Sequence, residues 1–426
     1  MTDKIWYILY NAVMLPVLYS VIHLLGYFNH KIRQGIEGRK GLNERTAEAI
    51  GKLDRSKKLV WIHSSSMGEF EQAKPIIEEL RKQNHINILV TFFSPSGYEN
   101  SKKYSFADIV TYIPFDTRKA IRSFIEIINP ALVVLMRYDV WPNHIFELDR
   151  KKVPVILVDA TMRTRNYRKL SFVRGFHKKL YSKMDRILTV SGLDMENFEI
   201  LGVEKEKLRV AGDTRFDRVY LKSREAKARN IIRPGVIEEK KVFIAGSTWP
   251  EDEDVLIPAV IKLFKYHKDL IVIFVPHEPT VTHIEKLEQE FTGIQQTIRF
   301  SHLNNYKGER VIIVDSIGIL LTLYSYAGIA FVGGSFKSNV HNVLEAAVYG
   351  IPVIYGPKIH SSAEASRLAE AGGGFIVDNK IKMFKALSRL IRNNEMRVNA
   401  GMASGEFVKN HTGATSIIVS EIKKYL

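Results

Sequence analysis

The chain is expected to fold as an α/β protein of two Rossmann-like, doubly wound lobes around one cleft, preceded by an N-terminal membrane helix. Three observations carry that expectation. A charge-free apolar run lies near the amino terminus, short β-branched runs alternate with amphipathic stretches, and a second set of such runs follows a charged interval broken by Pro234 and Gly235. At 426 residues the chain is long enough for two domains of roughly 100–200 residues each.

Composition narrows the classes. Hydrophobic residues at 46% and charged residues at 25% are ordinary globular values, which exclude wholesale disorder and a polytopic membrane protein. A formal charge of +16 attracts anions, whether nucleic acid, an anionic membrane surface or a phosphorylated substrate. With no cysteine there are no disulfides, thiolate metal sites or cysteine nucleophiles, while His/carboxylate metal sites stay open.

From Ile5 to Asn29 there is no Asp, Glu, Lys or Arg, a length sufficient to cross ~30 Å of hydrocarbon at 1.5 Å per residue. The run therefore reads as a membrane span. Asn11, Pro16, His23 and Gly26 weaken it and leave a tilted or interfacial helix open; no A-x-A-like site follows to suggest a cleaved signal. Lys31, Arg33, Arg39, Lys40 and Arg45 follow the run and only Lys4 precedes it. That bias keeps the carboxyl-terminal bulk cytoplasmic and sets cations against anionic lipid. The expected division is an anchor over 1–30, a first lobe over 31–221, a linker over 222–241 and a second lobe over 242–426.

Strands are expected at Leu59–His63, Ile86–Phe93, Ile109–Ile113, Ala131–Met136, Val153–Val158 and Arg186–Val190. The second set is Val242–Ala245, Leu270–Val275, Arg310–Val314, Gly328–Val332 and Ile351–Tyr355. Such runs between helical periods imply βαβ units and buried parallel sheets, whose ligands bind at the carboxyl ends of the strands.

Three strings fall at those ends. Ser64-Ser65-Ser66-Met67-Gly68-Glu69 joins a strand to a helix through small residues, and a carboxylate at Glu69 could accept a proton from a hydroxyl; the plainer reading is a first-turn acid that complements the helix dipole. Arg137-Tyr138-Asp139-Val140-Trp141-Pro142-Asn143 packs charged and aromatic residues just after a strand, which is costly to bury without a purpose. Its plainer reading is a surface Arg137/Asp139 pair with Trp141 as a packing anchor. Gly333-Gly334-Ser335, then His341-Asn342-Val343-Leu344-Glu345, opens a loop before a helix expected near His341, whose free N–H groups suit a phosphate. Glu345 could hold ribose hydroxyls. Arg163, Arg165, Arg168 and Lys169 form a basic patch in the first lobe, either a solvated face or a steering surface.

These strings, with Gly212-Asp213-Thr214-Arg215-Phe216-Asp217 and Gly333 through Pro357, resemble the bacterial lipid A Kdo (3-deoxy-D-manno-octulosonic acid) transferases over nearly the whole chain. The resemblance implies the GT-B architecture and inverting, metal-independent transfer of Kdo from CMP-Kdo to a lipid A precursor. It makes Glu69 the general base and puts Arg215 where a cation stabilises the departing phosphate. It also assigns Asn342, Val343, Leu344 and Glu345 to the nucleotide turn, Val343 replacing a proline, and Ser316, Ile317 and Gly318 to the cytidine pocket. His277 and Glu278 stand where the family has Arg-His. Arg137 replaces the first glutamate of a Glu-Thr-Glu-Leu-Trp-Pro-Asn string, of which Asp139 keeps the second carboxylate. Nothing in this chemistry requires a cofactor beyond the donor CMP-Kdo. Implied partners are the lipid A precursor and anionic lipids of the inner membrane, with no nucleic acid. The competing readings are another nucleotide-sugar protein, such as a heptosyltransferase or sugar epimerase, and a non-catalytic binding module.

Overall fold

The computed structural model describes the chain except residues 1, 84, 165–167 and 169, so Arg165 and Lys169 of the basic patch lie outside the described residues. Two compact units emerge, one of Met1–Arg218 with Thr412–Leu426 and the other of Val219–His411.

In the first unit seven parallel strands run β1 (Lys58–Ser64), β2 (Ile86–Phe92), β3 (Ile109–Tyr112), β4 (Leu132–Met136), β5 (Val155–Ala160), β6 (Arg186–Thr189) and β7 (Leu208–Val210). Their order in the sheet is β3-β2-β1-β4-β5-β6-β7, so the chain reverses direction across the sheet between β1 and β4. Val60, Trp61, Ile62, Ile88, Leu89, Val133 and Val134 are wholly buried. Helices cover both faces of a parallel sheet, and that is why these strands read as unbroken apolar runs.

The second unit repeats the plan with β8 (Lys241–Thr248), β9 (Leu270–Pro276), β10 (Thr297–Arg299), β11 (Val311–Ile313), β12 (Ile329–Val332), β13 (Val353–Tyr355) and β14 (Gly374–Ile376). The order is β10-β11-β9-β8-β12-β13-β14, with its reversal between β8 and β12. All eleven expected strands are present. The three not anticipated, β7, β10 and β14, are three-residue edge strands, too short to show a period.

Residues 412–426, placed by the sequence reading in the second lobe, pack in the first unit. Ile418, Val419 and Ile422 of the helix Ala414–Lys423 join the core around Phe70, Ile76 and Val90. Asp217 fastens the segment, its carboxylate accepting from Gly413 N at 2.6 Å, Thr415 N at 2.7 Å and Thr415 Oγ1 at 2.8 Å. The helix Thr214–Lys227 runs on past residue 222, where the linker was expected to begin.

The apolar segment is helical from Thr2 to Phe28, with one π turn at Tyr10–Met14. Pro16, which has no N–H to donate, follows that turn. One face docks on the first unit. Tyr10 Oη donates to Asp116 Oδ2 at 2.6 Å, Tyr7 Oη to Asn143 Oδ1 at 2.8 Å, and Asn143 Nδ2 to Asn11 Oδ1 at 2.8 Å. Buried Asp116 also accepts from the backbone N–H groups of Asn143 (3.0 Å) and His144 (2.9 Å). Asp116→Ala would leave the Tyr10 hydroxyl and the Asn143 and His144 N–H groups without that acceptor. We expect a loss of about 3–5 kcal/mol in denaturant unfolding of the detergent-solubilised protein.

The basic flank is only partly outward. Lys31, Arg33, Lys40 and Arg45 are exposed. Arg39 instead turns in among Phe93, Tyr112 and Phe115 and donates to the carbonyls of Ile113 (2.8 Å) and Phe93 (2.8 Å). Arg45 bonds the Gly38 carbonyl at 2.6 Å.

Candidate active site

Open α/β sheets bind ligands beyond the carboxyl ends of the strands where the strand order reverses. In the first unit that point lies between β1 and β4, and the two strings that follow those strands meet there. Glu69 lies in the first turn of the helix Met67–Arg81. The Glu69 side chain turns back so that Oε2 accepts from Ser65 N at 2.6 Å; Oε1 has no hydrogen-bond partner among the described residues. Glu69 is only 7% exposed. Burial pushes its carboxyl above the ordinary carboxylate range and the nearby Asp139 charge adds to this, against the Ser65 bond, His63 and Arg137.

Asp139 does not pair with Arg137. It bonds His63 Nε2 at 2.8 Å, and the other ring nitrogen of His63 meets Thr91 Oγ1 at 2.9 Å. Burial alone would raise the Asp139 carboxyl, but the bond and charge of His63, with Ser65, hold it below its ordinary value. His63 is 1% exposed and was read from sequence only as a strand residue. A polar residue at the carboxyl end of a buried strand was the available signal.

Arg137 occupies the left-handed region at φ 61°, uncommon for a residue with a side chain. It donates to Gln72 Oε1 at 3.0 Å. Its charge acts on Glu69, Asp159 and Asp213, lowering each. Asp159 is fully buried; desolvation and the Asp213 charge raise its carboxyl, against the Thr214 bonds and Arg137. Arg215 clamps Asp213 with Nη2–Oδ2 at 2.7 Å and Nε–Oδ2 at 2.9 Å. Burial would raise Asp213, but the charge and bonds of Arg215 outweigh it and hold the carboxyl low.

Trp141 stacks on Phe93, ring centroids 5.4 Å apart. Asn143 of the same string holds the N-terminal helix, as described above. Ser64 Oγ and Trp141 Nε1 are buried polar atoms with no hydrogen-bond partner among the described residues, and both lie in the strings that meet at this reversal point.

In the second unit the reversal lies between β8 and β12. Asp252 joins the loops after these strands, accepting from Trp249 N (3.0 Å), Gly334 N (2.8 Å) and Phe336 N (3.2 Å). A Cβ on Gly333 would lie 2.2 Å from Ser247 O, so only glycine allows the loops this close. Gly333→Ala should cost about 1–3 kcal/mol, measured as a lowered unfolding midpoint. Ser335 Oγ is inward and accepts from Gly356 N at 2.6 Å.

His277 stacks on His341 with centroids 4.4 Å apart, and Trp249 Nε1 donates to His341 Nε2 at 3.0 Å. Burial, with His277 alongside, pushes His341 down to about 4, so the ring is neutral near pH 7 and can accept that proton. Lys337 Nζ sits 3.2 Å from the centre of the Trp249 ring. Glu278, Ser316, Ile317 and Gly318 are exposed on the loops after β9 and β11.

The helix expected near His341 is only Leu344–Ala347. Asn342 shapes the approach to it, its Oδ1 accepting from Leu344 N at 3.2 Å and its Nδ2 donating to Glu345 Oε1 at 3.1 Å. Val343 and Leu344 are buried, so any contact they make with a ligand is through the backbone. A cavity of about 350 Å³ brings Gly318 and Glu345 together with Lys222, Arg229 and Thr322. Lys222 and Arg229 were not picked out from sequence, because they lie in a stretch that reads as a charged linker.

Two all-parallel sheets, each with polar loops gathered at its reversal point, fit the α/β GT-B architecture. The structure of UDP-GlcNAc 2-epimerase from Neisseria meningitidis bound to UDP-GlcNAc shares that fold, with a TM-score of 0.60 at 17% identity over 86% of this chain and 100% of that one. Sequence comparison then fixes the family. The model for 3-deoxy-D-manno-octulosonic-acid transferase matches residues 40–218. The 3-deoxy-D-manno-octulosonic acid transferase of Aquifex aeolicus is 31% identical over 80% of this chain and 88% of its own length. That of Haemophilus influenzae is 27% identical over 99% of both. The chain belongs to the Kdo transferase family.

Proposed function

We propose that this chain transfers Kdo from CMP-Kdo to a lipid A precursor of the lipid IVA type, with inversion and without a metal, on the cytoplasmic side of the inner membrane. The observation that carries the reading is Glu69, a buried carboxyl of raised pKa with one oxygen free of partners among the described residues, at the reversal point of its sheet. A base so placed takes the proton of an acceptor hydroxyl. The oxygen then bonds to the anomeric carbon of Kdo as the bond from that carbon to the CMP phosphate oxygen breaks, and CMP departs with the electron pair. Arg215, clamped in orientation by Asp213, meets the charge growing on the phosphate. His63 fixes Asp139, which helps keep the Glu69 carboxyl raised.

For the donor, the loop Gly333–Ser335 and the turn Asn342–Glu345 supply backbone groups. The cavity lined by Gly318, Glu345, Lys222 and Arg229 offers cations for phosphate and a carboxylate for ribose hydroxyls. A donor with one phosphate needs no metal to bridge a diphosphate. Calorimetric titration with CMP, UDP and ADP tests the assignment: CMP should bind, and tight UDP or ADP binding without CMP binding would refute it. Glu345→Ala should weaken CMP binding about tenfold. Mass spectrometry of the product formed from a lipid A precursor counts the sugars added.

A further inference from the structure

The 24 residues Ile5–Phe28 are long and apolar enough to cross a membrane, with mean hydropathy 1.8, and only Tyr10, Leu15 and Gly26 of them are buried. Yet the helix is held against the first unit along almost its whole length. Tyr7 and Tyr10 hydrogen-bond Asn143 and Asp116, and Leu15 is buried. Tyr19 packs edge-on against Phe115 at 5.6 Å. His23 lies 6.2 Å from the same Phe115 ring, and Gly26 packs on Ile36 of the helix His30–Glu37 that follows. From Tyr7 to His23 the contacts with the body of the unit cover about 24 Å of helix at 1.5 Å per residue, most of the thickness of the hydrocarbon layer.

A helix cannot cross the bilayer with that face attached unless Asp116, Asn143 and the strand ends behind them enter the hydrocarbon too, where polar backbone and carboxylate have no water. The opposite face is the one free to meet lipid. Ile8 is 64% exposed, Val17 57% and Leu24 59%. Exposed cations border the helix at both ends, with Arg118 beside the Tyr7 ring and Lys31 and Arg33 just past Phe28. An apolar face rimmed by cations complements an anionic bilayer surface.

We infer that this helix lies in the plane of the membrane, its free face sunk among the lipids and its other face remaining docked on the first unit. The inference rests on the membrane location proposed above but not on the sugar transferred. Through its bonds to Tyr7 and Asn11, Asn143 then fixes the height at which Glu69 and its neighbours stand above the bilayer.

Because the chain has no cysteine, Ile8→Cys, Val17→Cys and Leu24→Cys each give a single labelling site in the full-length protein. An environment-sensitive fluorophore on each would be quenched by spin labels set at two depths, in vesicles of phosphatidylethanolamine with phosphatidylglycerol. All three should report one shallow depth, about 5–10 Å into the headgroup and acyl boundary. A crossing helix would put position 17 near the bilayer centre, up to about 13 Å deeper than position 8, and would overturn the inference. Quenching at none of the sites overturns it as well, whether the face is in water or covered by a second copy of the chain. Kdo transfer assayed on the same three variants is a separate readout, so loss of the in-plane geometry and loss of the proposed reaction are told apart.

Discussion

Glu69→Gln should lower the rate of Kdo transfer by about 10²–10⁴-fold while CMP binding and the unfolding midpoint stay close to those of the parent chain. The amide matches the carboxylate in shape, and its oxygen can still accept from Ser65 N, the one hydrogen bond Glu69 makes at 2.6 Å. What it cannot do is take a proton. The alternative, in which Glu69 only complements the dipole of the helix Met67–Arg81, predicts the opposite split. Stability would then fall by roughly 0.3–1 kcal/mol with the rate unchanged. The pH profile separates the two again. A base works only when ionised, and burial raises the Glu69 carboxyl. The parent rate should therefore climb with pH through an apparent pKa above the ordinary value of about 4.3. The residual rate of Glu69→Gln should lack that limb.

How far the site could be read in advance depended on the range of the interaction. The central strands declared themselves because burial on both faces leaves nothing polar in Val60–Ile62 or Val133–Val134, and the strings after β1 and β4 stood out by contrast with them. Partners brought in across the sheet did not. Nothing local says that His63 faces Asp139, 76 positions away, that Asp252 ties down the Gly333-Gly334-Ser335 loop, or that the last helix returns to the first unit through Asp217. The Arg137/Asp139 surface pair was the natural local guess. It failed because a left-handed Arg137 turns toward Gln72 while Asp139 turns to the buried imidazole.

Arg137 is also where the second large effect is expected. The resemblance implies glutamate at its position, and implies a Gly-Asn-Leu-Lys-Phe-Asp string where this chain has Gly212 through Asp217, so that Asp213, Thr214 and Arg215 depart from it as well. These departures gather around one buried acid, Asp159. Thr214 bonds Asp159 through its backbone N at 3.1 Å as well as its hydroxyl, Arg215 clamps Asp213, and the Arg137 charge lowers both acids and Glu69. The gain of a carboxylate at Asp213 is thus offset by the gain of a cation at Arg137. Arg137→Glu alone would set a new negative charge among Glu69, Asp159 and Asp213. We expect roughly a ten- to hundredfold loss of transfer. Its sign in pH follows from the same charges: removing a cation that lowers Glu69 and adding an anion both raise that carboxyl, so the acidic limb moves to higher pH. Arg137→Gln should move it the same way by less. Adding Asp213→Asn to Arg137→Glu takes one negative charge back out, and the double variant should recover most of the lost rate and part of the shift. Rates of the two single variants and the double variant, each across a pH series, check this. Strictly additive losses would mean that the two positions act independently, and a gain from Arg137→Glu alone would mean that the arginine impairs the site it neutralises.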